Sequence, residues 1–138
     1  MPSSPPQVLE SPNQIDDDDY IVALGNKINK FGGFDFFKAP EDDIVIEFKV
    51  TQFQCTCPVT EQPDFYKVHI TYVPDDKCLE SKSLKLYIES FVDNTLFAEH
   101  IAHKMENDLS EALGVQVEII LEQSVRGGII TTVQAGGV

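Results

Sequence analysis

The chain has 138 residues, 42% of them hydrophobic, which is the size and composition of one domain with a core rather than of a disordered polymer. Its 23 acidic residues against 10 basic ones give a net charge of −13, which argues against nonspecific binding to nucleic acid or to an anionic membrane surface. No apolar run approaches the roughly 20 residues of a membrane span, and no basic region followed by an apolar block marks a secretory route, so a cytoplasmic setting is expected.

In chain order, residues 1–19 are rich in Pro, Ser and Asp, end in Asp16-Asp17-Asp18-Asp19, and read as a disordered acidic tail. Residues 20–43, broken by Gly25, Gly32 and Gly33, read as an irregular arm packed on the domain that follows. From residue 44 to 138 the pattern is regular. Ile44, Ile46, Phe48 and Val50 alternate with Val45, Glu47 and Lys49, and Tyr66, Val68, Ile70 and Tyr72 with Lys67, His69 and Thr71, predicting an antiparallel pair of strands joined by a proline-bracketed turn at Cys57. Leu84, Tyr87, Ile88 and Phe91 predict a helix near 80–92. A second helix is predicted over 95–113, with Phe97, Ile101, Met105, Leu109 and Leu113 on its apolar face and Gly114 as its stop. Strands over Val115–Glu122 and Ile129–Gln134 flank an Arg126-Gly127-Gly128 turn. The order strand, strand, helix, helix, strand, strand predicts an α+β domain, a four-stranded antiparallel sheet with two helices on one face.

Three clusters can carry chemistry. In Cys57-Pro58-Val59-Thr60-Glu61-Gln62-Pro63-Asp64 a thiol precedes a carboxyl by seven residues, and such a pair can divide a reaction between nucleophile and proton donor. Glu80-Ser81-Lys82-Ser83-Leu84-Lys85 sets two neighbouring lysines and two serines at a helix start, which is either a local anion site or a solubilising face. Arg126-Gly127-Gly128 is either a phosphate grip or an exposed hairpin turn. Glu99, one turn before His103, is open to several roles. The three cysteines are an odd number and suggest reduced thiols. Cys55 and Cys57 are too close for a zinc knuckle, and His69, His100 and His103 form no partner set, so no metal is expected.

Taken together, the blocks Cys57-Pro58-Val59-Thr60-Glu61-Gln62-Pro63-Asp64-Phe65, Glu80-Ser81-Lys82-Ser83-Leu84-Lys85-Leu86-Tyr87 and Arg126-Gly127-Gly128-Ile129 have an order and spacing that resemble the single-domain QueF family of nitrile reductases, over about Phe53 to Val133. The resemblance implies a tunnelling fold and reduction of 7-cyano-7-deazaguanine to 7-aminomethyl-7-deazaguanine by two NADPH. It implies Cys57 as nucleophile, Asp64 as proton donor and Glu99 as the grip on the guanine-like edge. Glu80, Ser81, Lys82, Ser83 and Lys85 would contact NADPH, together with Arg126 and Gly127. It also implies a homo-oligomer of stacked rings with active sites between subunits. The chain departs from the family pattern in three places. Ala98 stands where a histidine is usual, Glu61 where a glycine is common, and Ser90-Phe91-Val92-Asp93-Asn94-Thr95 where Ser-Phe-Arg-Asn-His-Gly is usual. Two other activities fit the same fold: addition of ammonia to the nitrile to give an amidine, and noncatalytic binding of a purine or pterin.

Overall fold

The alternating runs pair into one antiparallel sheet of four strands, in the order β3-β4-β6-β7, in a computed structural model that describes residues 30–138 and the backbone of Gln7–Leu9. Its strands are β3 (Ile46–Thr56), β4 (Pro63–Tyr72), β6 (Val117–Arg126) and β7 (Ile129–Gly136). Two helices, α1 (Ser81–Glu89) and α2 (Ala98–Leu113), connect β4 to β6, with a 3-10 turn at Ser90–Asp93 between them. This is the α+β arrangement expected from the sequence. The acidic run Asp16–Asp19 and residues 20–29 of the arm lie outside the described residues.

The alternation decides which face is covered. Tyr66, Val68, Ile70 and Tyr72 of β4 and Val117, Ile119 and Leu121 of β6 are buried, while Lys67, His69 and Thr71 point the other way. The helices close this face with Leu84, Tyr87 and Ile88 from α1 and Ile101, Met105 and Leu109 from α2. Each such side chain contributes about 1.5–3 kcal/mol on full burial. Gly114 ends α2 in the left-handed region at φ 72°, as its place after the last apolar residue predicts. Phe97 departs from the expected pattern. Its backbone is extended (ψ 156°) at the position before α2, so it leaves the apolar stripe and stands 49% exposed.

Three short strands were not visible in the sequence pattern. β2 (Asp35–Lys38) lies inside the segment read as irregular and pairs antiparallel with β5 (Lys77–Leu79). The backbone of β1 (Gln7–Leu9) adds in parallel to β2. Phe36 and Leu79 are buried here, and the Leu79 amide donates to the Tyr72 hydroxyl at 2.9 Å, tying this strap to the main sheet. Phe31 and Phe34 pack edge-on or tilted against Tyr87, with ring centroids 5.2 and 4.9 Å away. No helix among the described residues is long and apolar enough to cross a membrane.

Candidate active site

Two β-bulges aim the chemistry. In β3 the half-buried residues Ile46, Phe48 and Val50 are even-numbered, but a bulge between Val50 and Phe53 shifts the register, and beyond it Phe53, Cys55 and Cys57 are the buried ones. One extra residue reverses which parity faces the helices. Asp64 needs no such device, because it shares parity with Tyr66 and is 5% exposed. On β6, Gln123 continues the inward series of Val117, Ile119 and Leu121, and a second bulge between Gln123 and Arg126 brings the arginine toward the same end. Gly127 and Gly128, at φ 58° and 79°, make the two-residue turn that this hairpin requires.

The Cys57 turn is closed on itself. The Cys57 amide donates to the Gln62 carbonyl at 2.8 Å, and the Glu61 amide donates to the Cys57 carbonyl at 3.0 Å. Pro58 and Pro63 bracket it with fixed φ. Glu61 adopts φ 61°, a conformation glycine takes without steric cost, so the residue common in the resembling family is the one this backbone favours. The segment before α2 is pinned against the end of β3. The Asn94 carbonyl accepts from the Thr56 amide at 2.9 Å and from the Cys55 thiol at 2.7 Å, and the Thr56 hydroxyl donates to Val92.

Cys57, Thr60, Asp64, Tyr66, Gln123 and Arg126 line one cleft of about 350 Å³, with Leu96 and Phe97 on its opposite wall. Arg126 donates to Asp64 Oδ1. Gln123 Nε2 donates to Asp64 Oδ2 at 3.4 Å and to the Tyr66 hydroxyl at 3.2 Å. Hydrogen bonds from the Thr60 hydroxyl and amide, then from the Val59 amide, and more weakly from Arg126, lower the Cys57 thiol to about 7, against the opposing effect of burial. Burial pushes the Cys55 thiol up, and the Asp64 charge adds to this. Tyr66 is pushed up to about 12, first by burial and then by the Asp64 charge. The cleft therefore holds an activated thiol and a carboxylate accepting on both oxygens.

The other sequence-predicted site residues lie elsewhere. Ser81 and Lys85 line a groove of about 660 Å³ between β3 and α1, walled by Phe48, Phe53, Leu84 and Ile88. This groove shares no lining residue with the Cys57 cleft. Glu80 caps α1, its carboxylate accepting from the Lys82 amide at 2.6 Å and the Ser83 amide at 2.9 Å. Ser83 is buried, donating to the Glu80 carbonyl and accepting from the Asp35 amide. Lys85 sits 3.9 Å from Glu89. Glu99 is exposed in the first turn of α2 and lines neither opening, and His103 bonds Asn107 at 3.0 Å. Ala98 is buried in the core at 4% exposure, and His100 stands outside against Phe97. Thr60, Tyr66 and Gln123 were not singled out from the sequence. The signal that could have found the last two is parity, since Tyr66 shares it with Asp64 on β4 and Gln123 continues the Val117, Ile119, Leu121 series on β6.

Comparison with known proteins adds to this geometry. Residues 63–137, more than half of the chain, match the family model described as QueF-like protein. The NADPH-dependent 7-cyano-7-deazaguanine reductase of Alkalilimnicola ehrlichii is 46% identical over 97 residues, 70% of this chain and 75% of that protein. That of Syntrophus aciditrophicus is 41% identical over 97 residues, covering 69% of its length. Among solved structures, the apo form of the archaeosine synthase QueF-Like superposes with a TM-score of 0.65 at 22% identity, covering 73% of this chain and 99% of that one, a likeness of fold. With that fold, a matching family model and relatives aligned over most of their length, the chain belongs to the QueF family.

Proposed function

We propose that this protein reduces the nitrile of 7-cyano-7-deazaguanine to the primary amine using NADPH, the activity named for its relatives. The observation that carries the reading is the convergence of Cys57, Asp64 and Arg126 in one cleft. A nitrile carbon is a modest electrophile. The Cys57 sulfur adds to it, forming a C–S bond as the thiol gives up its proton, and the nitrogen gains that proton to give a thioimide. Asp64, an acceptor in the ligand-free protein, takes the thiol proton as sulfur attacks and passes it to that nitrogen. NADPH, when bound, supplies hydride, twice for each nitrile. Between the two reductions the nitrogen lone pair expels sulfur, so Cys57 returns as thiolate and an imine is left. Two hydrides and two protons account for the amine.

The groove beside α1 fits a dinucleotide in its apolar walls and its basic rim. Lys82 and Lys85 would face the phosphates, Ser81 would line the contact, and Glu80 and Ser83 would hold the helix start that carries the lysines. Arg126 and Gly127 would approach the cofactor from the hairpin, the guanidinium keeping donors to spare beyond the one on Asp64. Glu99 would accept two hydrogen bonds from the guanine-like edge. Because the cleft, the groove and Glu99 are separate within one chain, the complete site would form between copies in a ring. Among the described residues β3 and β7 are the edge strands of the main sheet, and supply the means.

The test is a mass measurement. Incubation with 7-cyano-7-deazaguanine is expected to add the substrate mass to Cys57, and Cys57→Ala to abolish the adduct. No adduct would exclude the reading. Adduct without NADPH consumption would move the conclusion to amidine formation or to an inert binder.

A further inference from the structure

We propose that Arg126 is the positioning residue of the covalent step: reaching back from the β6–β7 hairpin, its guanidinium binds the Asp64 carboxylate beside the Cys57 sulfur, so that two anions share one cation. The proposal rests on the reading of Cys57 as the nucleophile. It departs from the cofactor role, in which Arg126 serves only to grip a phosphate.

The geometry is specific. Arg126 lies beyond a bulge, and without that extra residue its side chain would face the other side of the sheet. Its partner Asp64 is 5% exposed, while the arginine side chain is 41% exposed, so the pair runs from a buried carboxylate to an accessible cation. The titratable groups lining the cleft with the sulfur are Asp64 and Tyr66 on β4 and Arg126 at the end of β6, with Cys55 two residues back along β3, and of these Arg126 alone is positive. A thiolate and a carboxylate in one small cleft disfavour each other. Thr60 stabilises the sulfur but does nothing for the carboxylate beside it, whereas Arg126 offsets the Asp64 charge directly. It also distinguishes the two oxygens. Oδ1 is held by Arg126, and Oδ2 receives only the long 3.4 Å contact from Gln123, so Oδ2 is the oxygen that takes and returns the proton.

The test reads Cys57 alkylation by iodoacetamide against pH in the full chain, with mass spectrometry to assign the site. The wild-type midpoint is expected near 7. In Arg126→Ala it rises part of the way toward the ordinary thiol value of about 8.5, because the Thr60 and Val59 hydrogen bonds remain, and the rate at pH 7 falls about two- to threefold. Arg126→Lys, which keeps the charge and loses the fork, lies between. Adding Asp64→Asn to Arg126→Ala removes the unpaired carboxylate and restores the low midpoint, a rescue that a merely structural arginine would not give. Continued silence of Cys55 and Cys78 reports that each variant is folded, and if Arg126→Ala fails this control the lysine variant decides. An unchanged midpoint, or no rescue in the double variant, overturns the proposal. A Cys57 adduct with 7-cyano-7-deazaguanine alongside an unchanged alkylation profile overturns the role of Arg126 alone. A shifted profile with no adduct in wild type removes the nitrile reading and leaves Arg126 in place.

Discussion

Two cysteines separated by one residue show how far local surroundings set reactivity. Cys55 is 1% exposed, donates to the Asn94 carbonyl, and is pushed up by burial. Cys57, one step further along the same face, meets the Thr60 hydroxyl and the Thr60 and Val59 amides and is lowered to about 7. Nothing in the dipeptide spacing distinguishes them. The difference comes from the turn, which folds its amides back over the second sulfur only. Thiolate fraction rises with pH through the thiol's own value, so a limiting dose of iodoacetamide near neutral pH should label Cys57 alone. Peptide mapping checks this. Comparable labelling of Cys55, or a Cys57 profile centred on an ordinary thiol value, would show that the turn does not activate the sulfur.

At the level of elements, what could be read from the sequence and what could not divide at the bulges. The four main strands and both helices follow from apolar periodicity, and Asp64 faces inward by simple parity with Tyr66, Val68 and Ile70. Cys57 was identified by its motif, but its orientation depends on the irregularity between Val50 and Phe53, where Thr51 and Gln52 break the alternation without saying how the chain recovers. Arg126 is the same case on β6, and its meeting with Asp64 is a tertiary fact that no local pattern encodes. The strap strands β2 and β5 are four and three residues long, too short for periodicity to register. Glu80 shows a further gap. The sequence places it among polar residues at a helix start, and only the structure shows its carboxylate occupied by the Lys82 and Ser83 amides. Glu80→Ala should therefore cost about 1 kcal/mol of stability, from loss of a cap, measurable as a lower urea midpoint with unchanged slope. A stability equal to wild type would mean that the carboxylate does not cap α1 in solution, and would return Glu80 to the residues free to meet a ligand.

For the whole molecule, the decisive fact is the separation of parts that the proposed reaction would use together. The nucleophile cleft and the Ser81/Lys85 groove have no lining residue in common, and Glu99 belongs to neither. If each chain completed its own site, large rearrangement would be needed to join them. If neighbouring copies complete each other's sites, Cys57 of one copy would face the lysines of the next and no rearrangement would be needed. The two alternatives differ in a mixing experiment. Cys57→Ala and a Lys82→Ala/Lys85→Ala double variant should each lack NADPH-dependent turnover as pure proteins, the first for want of adduct, the second with adduct retained. Co-expressed at equal levels, they should recover about a quarter of wild-type turnover, because random assembly pairs an intact Cys57 with intact lysines at that fraction of shared sites. Sites contained within one chain would give no recovery, since every chain would carry a defect in its own site. Failure of the double variant to form adduct would show that the lysines support the fold of α1 rather than the cofactor. The quarter recovery is the sharper outcome, because it cannot arise from partial activity of either variant once each has been measured alone.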